Sequence, residues 1–231
     1  MKTCLLLPAY NVSQTVAKVV RGCTEFIDDI VIIDDGSSDD TAEIAAKHGA
    51  VVLKHPRNFG KGRALRTGFG YALQQGYERV GTLDSDGQHN PLDLPRFLSR
   101  FDETRADILI GTRVFERSAM PLHRRLNNSL VSAVGSALCG QRVPDFQSGY
   151  RLIRSEVIKA VSLQTERYET ESELLIKAGR LGFRIESLPI HTVYGNETSH
   201  IRPLREMYLF TKLLIRSLCE NNKAAPLEDT L

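Results

Sequence analysis

Cysteine is scarce in this chain. Its 231 residues hold four, Cys4, Cys23, Cys139 and Cys219, and none are spaced as CxxC. That excludes a metal knuckle or dithiol redox motif, and a few scattered thiols fit a reducing cytosol. Long apolar runs are also missing: no stretch approaches the roughly 20 residues needed to cross a bilayer. The short run Cys4–Leu7 after Lys2 stops at Pro8 and does not read as a signal peptide. Net charge is only +2, from 30 Lys and Arg against 28 Asp and Glu, so no basic field marks a nucleic-acid binder. The six histidines show no HxxxH or HExxH spacing, which argues against a zinc site. The expected location is cytoplasmic, or peripheral on the cytoplasmic face of a membrane.

What is present is a strand–helix alternation long enough for one α/β domain. Strands are expected at Cys4–Leu7, Ile30–Ile33, Val51–Leu53, Val80–Leu83 and Ile108–Ile110. Helices are expected from Ser13 towards Phe26, after an Asp40/Glu43 capping box, over Gly62–Gln75, and over Leu92–Phe101. This order predicts a mainly parallel sheet with helices on both faces. The second half is less regular. Helices are read at Leu126–Leu138 and Glu171–Leu181, extended chain at Ser148–Ile153, Ile185–Leu188 and Ile190–Val193, and a long amphipathic helix at Ile201–Leu218. The organisation expected is a main domain over 1–200, an amphipathic helix over 201–219 and a mobile tail over 220–231.

Polar clusters fall at the carboxyl ends of the expected strands, where open α/β sheets bind ligands. Asp84-Ser85-Asp86-Gly87-Gln88 sets two carboxylates one residue apart after a buried strand, with a neutral oxygen from Gln88. Such oxygens suit Mg²⁺ or Mn²⁺ bridging a nucleotide diphosphate. Asp34-Asp35-Gly36 ends the second strand, where a carboxylate can meet a base or a ribose. Asn58-Phe59-Gly60-Lys61-Gly62 puts a lysine before a helix, suited to a phosphate or base carbonyl. It is not a P-loop, because neither Ser nor Thr follows the lysine, and Leu65 breaks GxGxxG. Arg125 and Ser129, four apart on an expected helix, share a face that can grip a phosphate. Arg113 lies in the same arginine-rich stretch, and Asp145 opens the polar run Asp145–Arg151. Asp145 is a candidate general base or sugar-binding group.

Taken in order, Pro8-Ala9-Tyr10-Asn11, Asp34–Thr41, Asn58–Gly62 and Asp84–Pro91 resemble the family-2 inverting glycosyltransferases. Arg125 with Ser129, Ser148–Arg151 and Tyr194–His200 are most similar to the dolichyl- and polyprenyl-phosphate sugar transferases in that family. The resemblance spans roughly Lys2 to Arg205. It implies a GT-A nucleotide-diphospho-sugar transferase fold and a nucleotide site at Pro8, Tyr10, Asp35 and Lys61. It also implies a metal at Asp84, Asp86 and Gln88, with Arg113, Arg125 and Ser129 on donor or acceptor phosphate. The implied reaction moves mannose or glucose from GDP-mannose or UDP-glucose to a polyprenyl or dolichyl phosphate. Val12 stands where the family often has Glu, and the transmembrane helices of many relatives are not found. A lipid acceptor would then be reached by docking at the membrane surface, for which the apolar helix near 204–218, with Arg205, Lys212 and Arg216, is suited; packing of that helix on the core or on a partner subunit is the equal alternative. A sugar hydroxyl as acceptor, with Asp145 as base, is the alternative. So are a non-catalytic nucleotide-sugar-binding protein and a nucleotidyltransferase. The sequence leaves the oligomeric state open.

Overall fold

Short apolar runs, too short for helices and several of them ending in polar residues, become strands of one sheet. The structure, a computed structural model, describes residues 1–113, 122–191 and 203–219. Along 122–127, 203–207 and 218–219 it describes the backbone alone. Seven strands are β1 (Thr3–Ala9), β2 (Asp29–Asp34), β3 (Val51–Lys54), β4 (Arg79–Thr82), β5 (Ile108–Thr112), β6 (Arg151–Arg154) and β7 (Ile185–Pro189). Their order is β3-β2-β1-β4-β6-β5-β7, with β6 antiparallel to both neighbours and every other pair parallel.

Helices cover both faces, so the central strands are buried but for one residue at an end of each. Alternate β1 residues serve opposite faces: Cys4 and Leu6 join one core, with Ile33, Phe69, Ile153 and Leu175. Leu5 and Leu7 join the other, with Val20, Ile32, Phe97 and Leu109. The first core lies beneath α3 (Lys61–Gln74) and α7 (Glu169–Arg180), the second beneath α1 (Val16–Thr24) and α4 (Leu94–Thr104). The remaining helices are α2 (Thr41–Lys47), α5 (Leu122–Cys139), α6 (Ser155–Ala160) and α8 (Pro203–Cys219).

Two features position the site. Because β6 runs antiparallel, its beginning lies at the carboxyl ends of its parallel neighbours, and Arg151 pairs with Thr82 just before Asp84. The loop 145–150 is thereby laid beside Asp84. The first turns of α3 and α7 also meet. Arg63 N–H donates to the Glu166 carbonyl at 3.0 Å, and a Cβ on Gly62 would run into Thr170 Oγ1.

Several local expectations change. Asp40 sits at the α2 cap position but its carboxylate makes no cap bond. Asp39 does this instead, accepting from Thr41 N–H at 3.1 Å and Thr41 Oγ1 at 2.5 Å. Ser13 does not start α1, which begins at Val16 behind Thr15. Pro91 and the Asn90 side chain, which accepts from Leu92 N–H, first form a 3-10 turn at Pro91–Asp93, so α4 starts at Leu94. Ile190 bonds to the Thr112 carbonyl but belongs to no strand, and 192–193 lie outside the described residues. Helix α6 was not foreseen; six residues are too few for periodicity to declare. On α8, Leu213 is buried, with Phe210 and Leu214 packed on the first core, while Tyr208, Thr211, Lys212, Ile215 and Arg216 are exposed. Among the described residues no helix is long and apolar enough to cross a membrane.

Candidate active site

The strand-end loops of the N-terminal half are tied together by side chains that take backbone N–H groups. Asn11 donates its N–H to Ser37 Oγ at 2.9 Å, and its side-chain oxygen accepts from Ser38 N–H at 2.9 Å. Asp35, buried, accepts from Phe59 N–H at 3.0 Å and Gly60 N–H at 2.7 Å, and pairs with His55 Nδ1 at 2.7 Å. His55 Nε2 in turn meets Thr67 Oγ1 at 3.0 Å. Asp35 therefore folds the loop leading into α3 and fixes where Lys61 emerges. Pro8 is buried, its carbonyl accepting from Ser85 Oγ at 2.7 Å, whereas Tyr10 is 38% exposed at the rim.

Lys61 projects from the first turn of α3 to Asp84. Its Nζ lies 2.5 Å from Asp84 Oδ1 and 3.1 Å from both oxygens of Glu171, in the first turn of α7. Burial pulls the ammonium's pKa down, but the two carboxylates outweigh it and hold Lys61 protonated. Burial likewise favours a neutral Asp84, and Lys61 overcomes it, leaving the carboxyl at about 2. Gly149 lies so close that a Cβ there would stand 2.6 Å from both Asp84 oxygens. Asp86 Oδ1 accepts from Gln88 N–H at 2.9 Å, which shapes the turn after the carboxylate pair. His89, buried behind that turn, is lowered to about 4, mainly by desolvation, and is neutral near neutral pH.

Just past the end of β5, Arg113 forms a fork on Asp145, Nε to Oδ2 at 2.7 Å and Nη2 to Oδ1 at 2.8 Å. Despite burial, these bonds and the guanidinium charge hold Asp145 below the ordinary carboxylate range. Arg151, fully buried, donates to the carbonyls of Ser148, Glu171 and Phe146 at 2.7–3.0 Å. It pins the 145–150 loop to α7. Ser129 is exposed on α5. Arg125 is on the same helix, but its side chain lies outside the described residues, as do Tyr194–His200.

Sequence reasoning names four residues singly, for nucleotide, metal, phosphate and base roles, which the fold joins in two ion pairs, Lys61 with Asp84 and Arg113 with Asp145. It misses Glu171, His89 and the anchoring role of Arg151. The signal for Glu171 was the run Glu169-Thr170-Glu171-Ser172-Glu173, polar yet directly followed by Leu174-Leu175-Ile176. All eight residues are buried, and buried acids are almost always paired.

These residues fit a divalent cation. Asp84, Asp86, Asp145 and Glu171 outnumber Lys61, Arg113 and Arg151 by one negative charge, and an ammonium already sits on Asp84 where a cation would go. Among the described residues no three His, Cys, Asp or Glu form a closed cage. Mg²⁺-type sites use one or two carboxylates and share the ion with substrate phosphates, and Asp84 with Asp86 offers such a pair.

The family model described as Glycosyl transferase family 2 matches residues 4–162. A UDP-N-acetylglucosamine–dolichyl-phosphate N-acetylglucosaminyltransferase of Methanococcus voltae is 32% identical over 213 residues, covering 82% of this chain and 85% of that one. An undecaprenyl-phosphate mannosyltransferase of Micrococcus luteus is 28% identical over 203 residues, covering 82% and 83%. Among solved structures, glucosyl-3-phosphoglycerate synthase of Mycobacterium tuberculosis, in complex with Mn²⁺, UDP and glucosyl-3-phosphoglycerate, superposes with a TM-score of 0.70. Its identity is 23%, over 94% of this chain and 78% of that one, a likeness of fold.

Proposed function

The chain belongs to glycosyl transferase family 2, is a glycosyltransferase with the GT-A fold, and from that premise we propose that it moves a sugar from a nucleotide-sugar to a polyprenyl or dolichyl phosphate with inversion and with Mg²⁺ or Mn²⁺. The observation that carries the choice of acceptor is the Arg113–Asp145 fork. A carboxylate gripped at 2.7 and 2.8 Å by a guanidinium, and acidified by it, is a poor general base. A phosphate acceptor is already anionic and needs none. The names of the two curated relatives point the same way, since both act on polyprenyl-type phosphates.

In this reading a phosphate oxygen of the acceptor forms a bond to the anomeric carbon as the bond to the nucleotide diphosphate breaks. Asp84, Asp86 and Gln88 would hold the divalent ion, which offsets negative charge on the departing diphosphate. Lys61 and Arg113 would add positive charge beside it in a buried setting, where it is worth more than in water. Arg125 and Ser129 are candidates for the acceptor phosphate, and Pro8, Tyr10 and the loop organised by Asp35 for the nucleotide. The exposed stripe Tyr208, Lys212, Ile215 and Arg216 on α8 pairs apolar and basic groups as an interfacial helix does. It supports a peripheral position on the cytoplasmic membrane face.

The test is transfer of label to polyprenyl phosphate from GDP-mannose, UDP-glucose and, given the Methanococcus relative, UDP-N-acetylglucosamine. Each is run with metal, with chelator and with Asp86→Ala. Metal-dependent label in the lipid phase, lost in the variant, is expected. Label reaching only water or a sugar hydroxyl would overturn the lipid acceptor.

A further inference from the structure

Lys61 connects Asp84 to a residue 110 positions further along the chain. We propose that Glu171 is a positioning residue that takes up the Lys61 ammonium when a divalent cation occupies Asp84 and Asp86, so that one cation can replace another without leaving a buried charge unpaired. The proposal rests on the metal site described above.

The geometry supplies the reasons. An ammonium 2.5 Å from Asp84 Oδ1 occupies the place of a metal ligand bond, and a divalent ion there would repel it. Lys61 is only 15% exposed, so water is not at hand to receive the displaced charge. An uncompensated buried ammonium is costly. Glu171 removes that cost. Its side chain is 6% exposed and both its oxygens already lie 3.1 Å from Nζ. Lys61 is therefore already bonded to the anion that remains to it when Asp84 turns to the metal. The Tyr168 ring, 5.8 Å from Nζ, offers a second favourable surface on the same side.

Glu171 is also held in place. Its backbone carbonyl accepts from Arg151 Nη1 at 2.7 Å, and the contact between Gly62 and Thr170 locks its helix turn against that of Lys61. The carboxylate thus stands at a fixed distance while the ammonium moves.

The experiment is Mn²⁺ titration of the whole chain, read from the electron paramagnetic resonance signal of free Mn²⁺. It compares wild type, Glu171→Gln, Lys61→Met and the double variant, with thermal unfolding to confirm that each is folded. Glu171→Gln is expected to weaken Mn²⁺ binding about tenfold, because Lys61 then competes for Asp84 without a second anion. Lys61→Met is expected to bind Mn²⁺ at least as tightly as wild type. With Lys61 gone, the penalty of Glu171→Gln should shrink to less than about threefold. An equal or larger penalty in the Lys61→Met background would mean that Glu171 acts through its charge alone and would overturn the proposal. No penalty in either background would do the same. Should Lys61→Met not fold, Glu171→Asp decides: the charge remains but withdraws by one methylene. A several-fold loss supports positioning, and wild-type affinity contradicts it. Asp86→Ala is the separate control; unaltered Mn²⁺ binding in that variant would overturn the metal-site reading itself, and with it this proposal.

Discussion

The two halves of the sheet use their carboxylates differently. In the N-terminal half, Asp34, Asp35 and Asp39 accept from backbone N–H groups and so build loops. Around β6 and α7, Asp145 faces Arg113 and Glu171 faces Lys61, while Glu173 does both, pairing with Lys177 and accepting from Gln164 and Thr165 N–H. A loop-building carboxylate cannot leave without unfolding its loop, whereas an ion pair can exchange partners. On the proposed function, the rigid loops of the first half would serve the nucleotide, and the exchangeable ion pairs of the second would serve phosphates that arrive and depart. Asp84 sits on the seam, at the end of a parallel strand but paired with a lysine.

The comparison can be broken in stages. On the proposed metal role, Asp86→Ala should lower kcat/KM by about 10³ or more, with a smaller effect on unfolding temperature from the lost bond to Gln88 N–H. Steady-state transfer kinetics beside a thermal melt check it. Asp35→Ala should do the reverse, costing about 3 kcal/mol of stability by stranding two backbone N–H groups and His55. Urea unfolding measures that loss, and a cost below about 1 kcal/mol would contradict the loop-building role. Gly149→Ala should fall between them, because its Cβ would meet the Asp84 carboxylate at 2.6 Å. We expect strain of about 1–2 kcal/mol, together with weaker metal binding.

The smallest effect is on pH dependence. Asp145 and Glu173 are held below their ordinary values of 3.8 and 4.5, so the unfolded chain takes up their protons first. Their contribution to stability is complete above about pH 5 and is lost as pH falls through the folded values. His89, neutral in the fold down to about 4, adds an earlier loss that begins near its ordinary value of 6.5. Unfolding temperature measured from pH 8 to 3 should therefore fall steadily below about 6.5, and Glu173→Gln should flatten the lower part.

What could be read from the sequence follows the same division. The parallel strands announced themselves, because a buried strand is a short apolar run and each ended in a polar cluster: β1 at Tyr10-Asn11, β2 at Asp34-Asp35, β4 at Asp84. The Lys61 loop was legible for the same reason. The other wall depends on contacts that no local pattern encodes. The antiparallel insertion of β6 brings Asp145 to Arg113 across 32 residues, and the meeting of α3 with α7 brings Glu171 to Lys61. Asp145 read alone looks like a spare carboxylate and hence a base; with Arg113 beside it, it is half of an ion pair. Asp39 and Asp40 show the limit at short range, since either could cap α2 and only geometry selects Asp39.

The most direct test of the central claim, that the acceptor arrives as an anion and the enzyme supplies no general base, is the transfer rate of Asp145→Asn with polyprenyl phosphate. Asn keeps one oxygen for Arg113 but cannot act as a base. The account predicts kcat within about tenfold of wild type, because a general base is worth roughly 10²–10⁴. A loss of about 10³ or more, with donor binding and stability unchanged, would contradict it and make Asp145 the base.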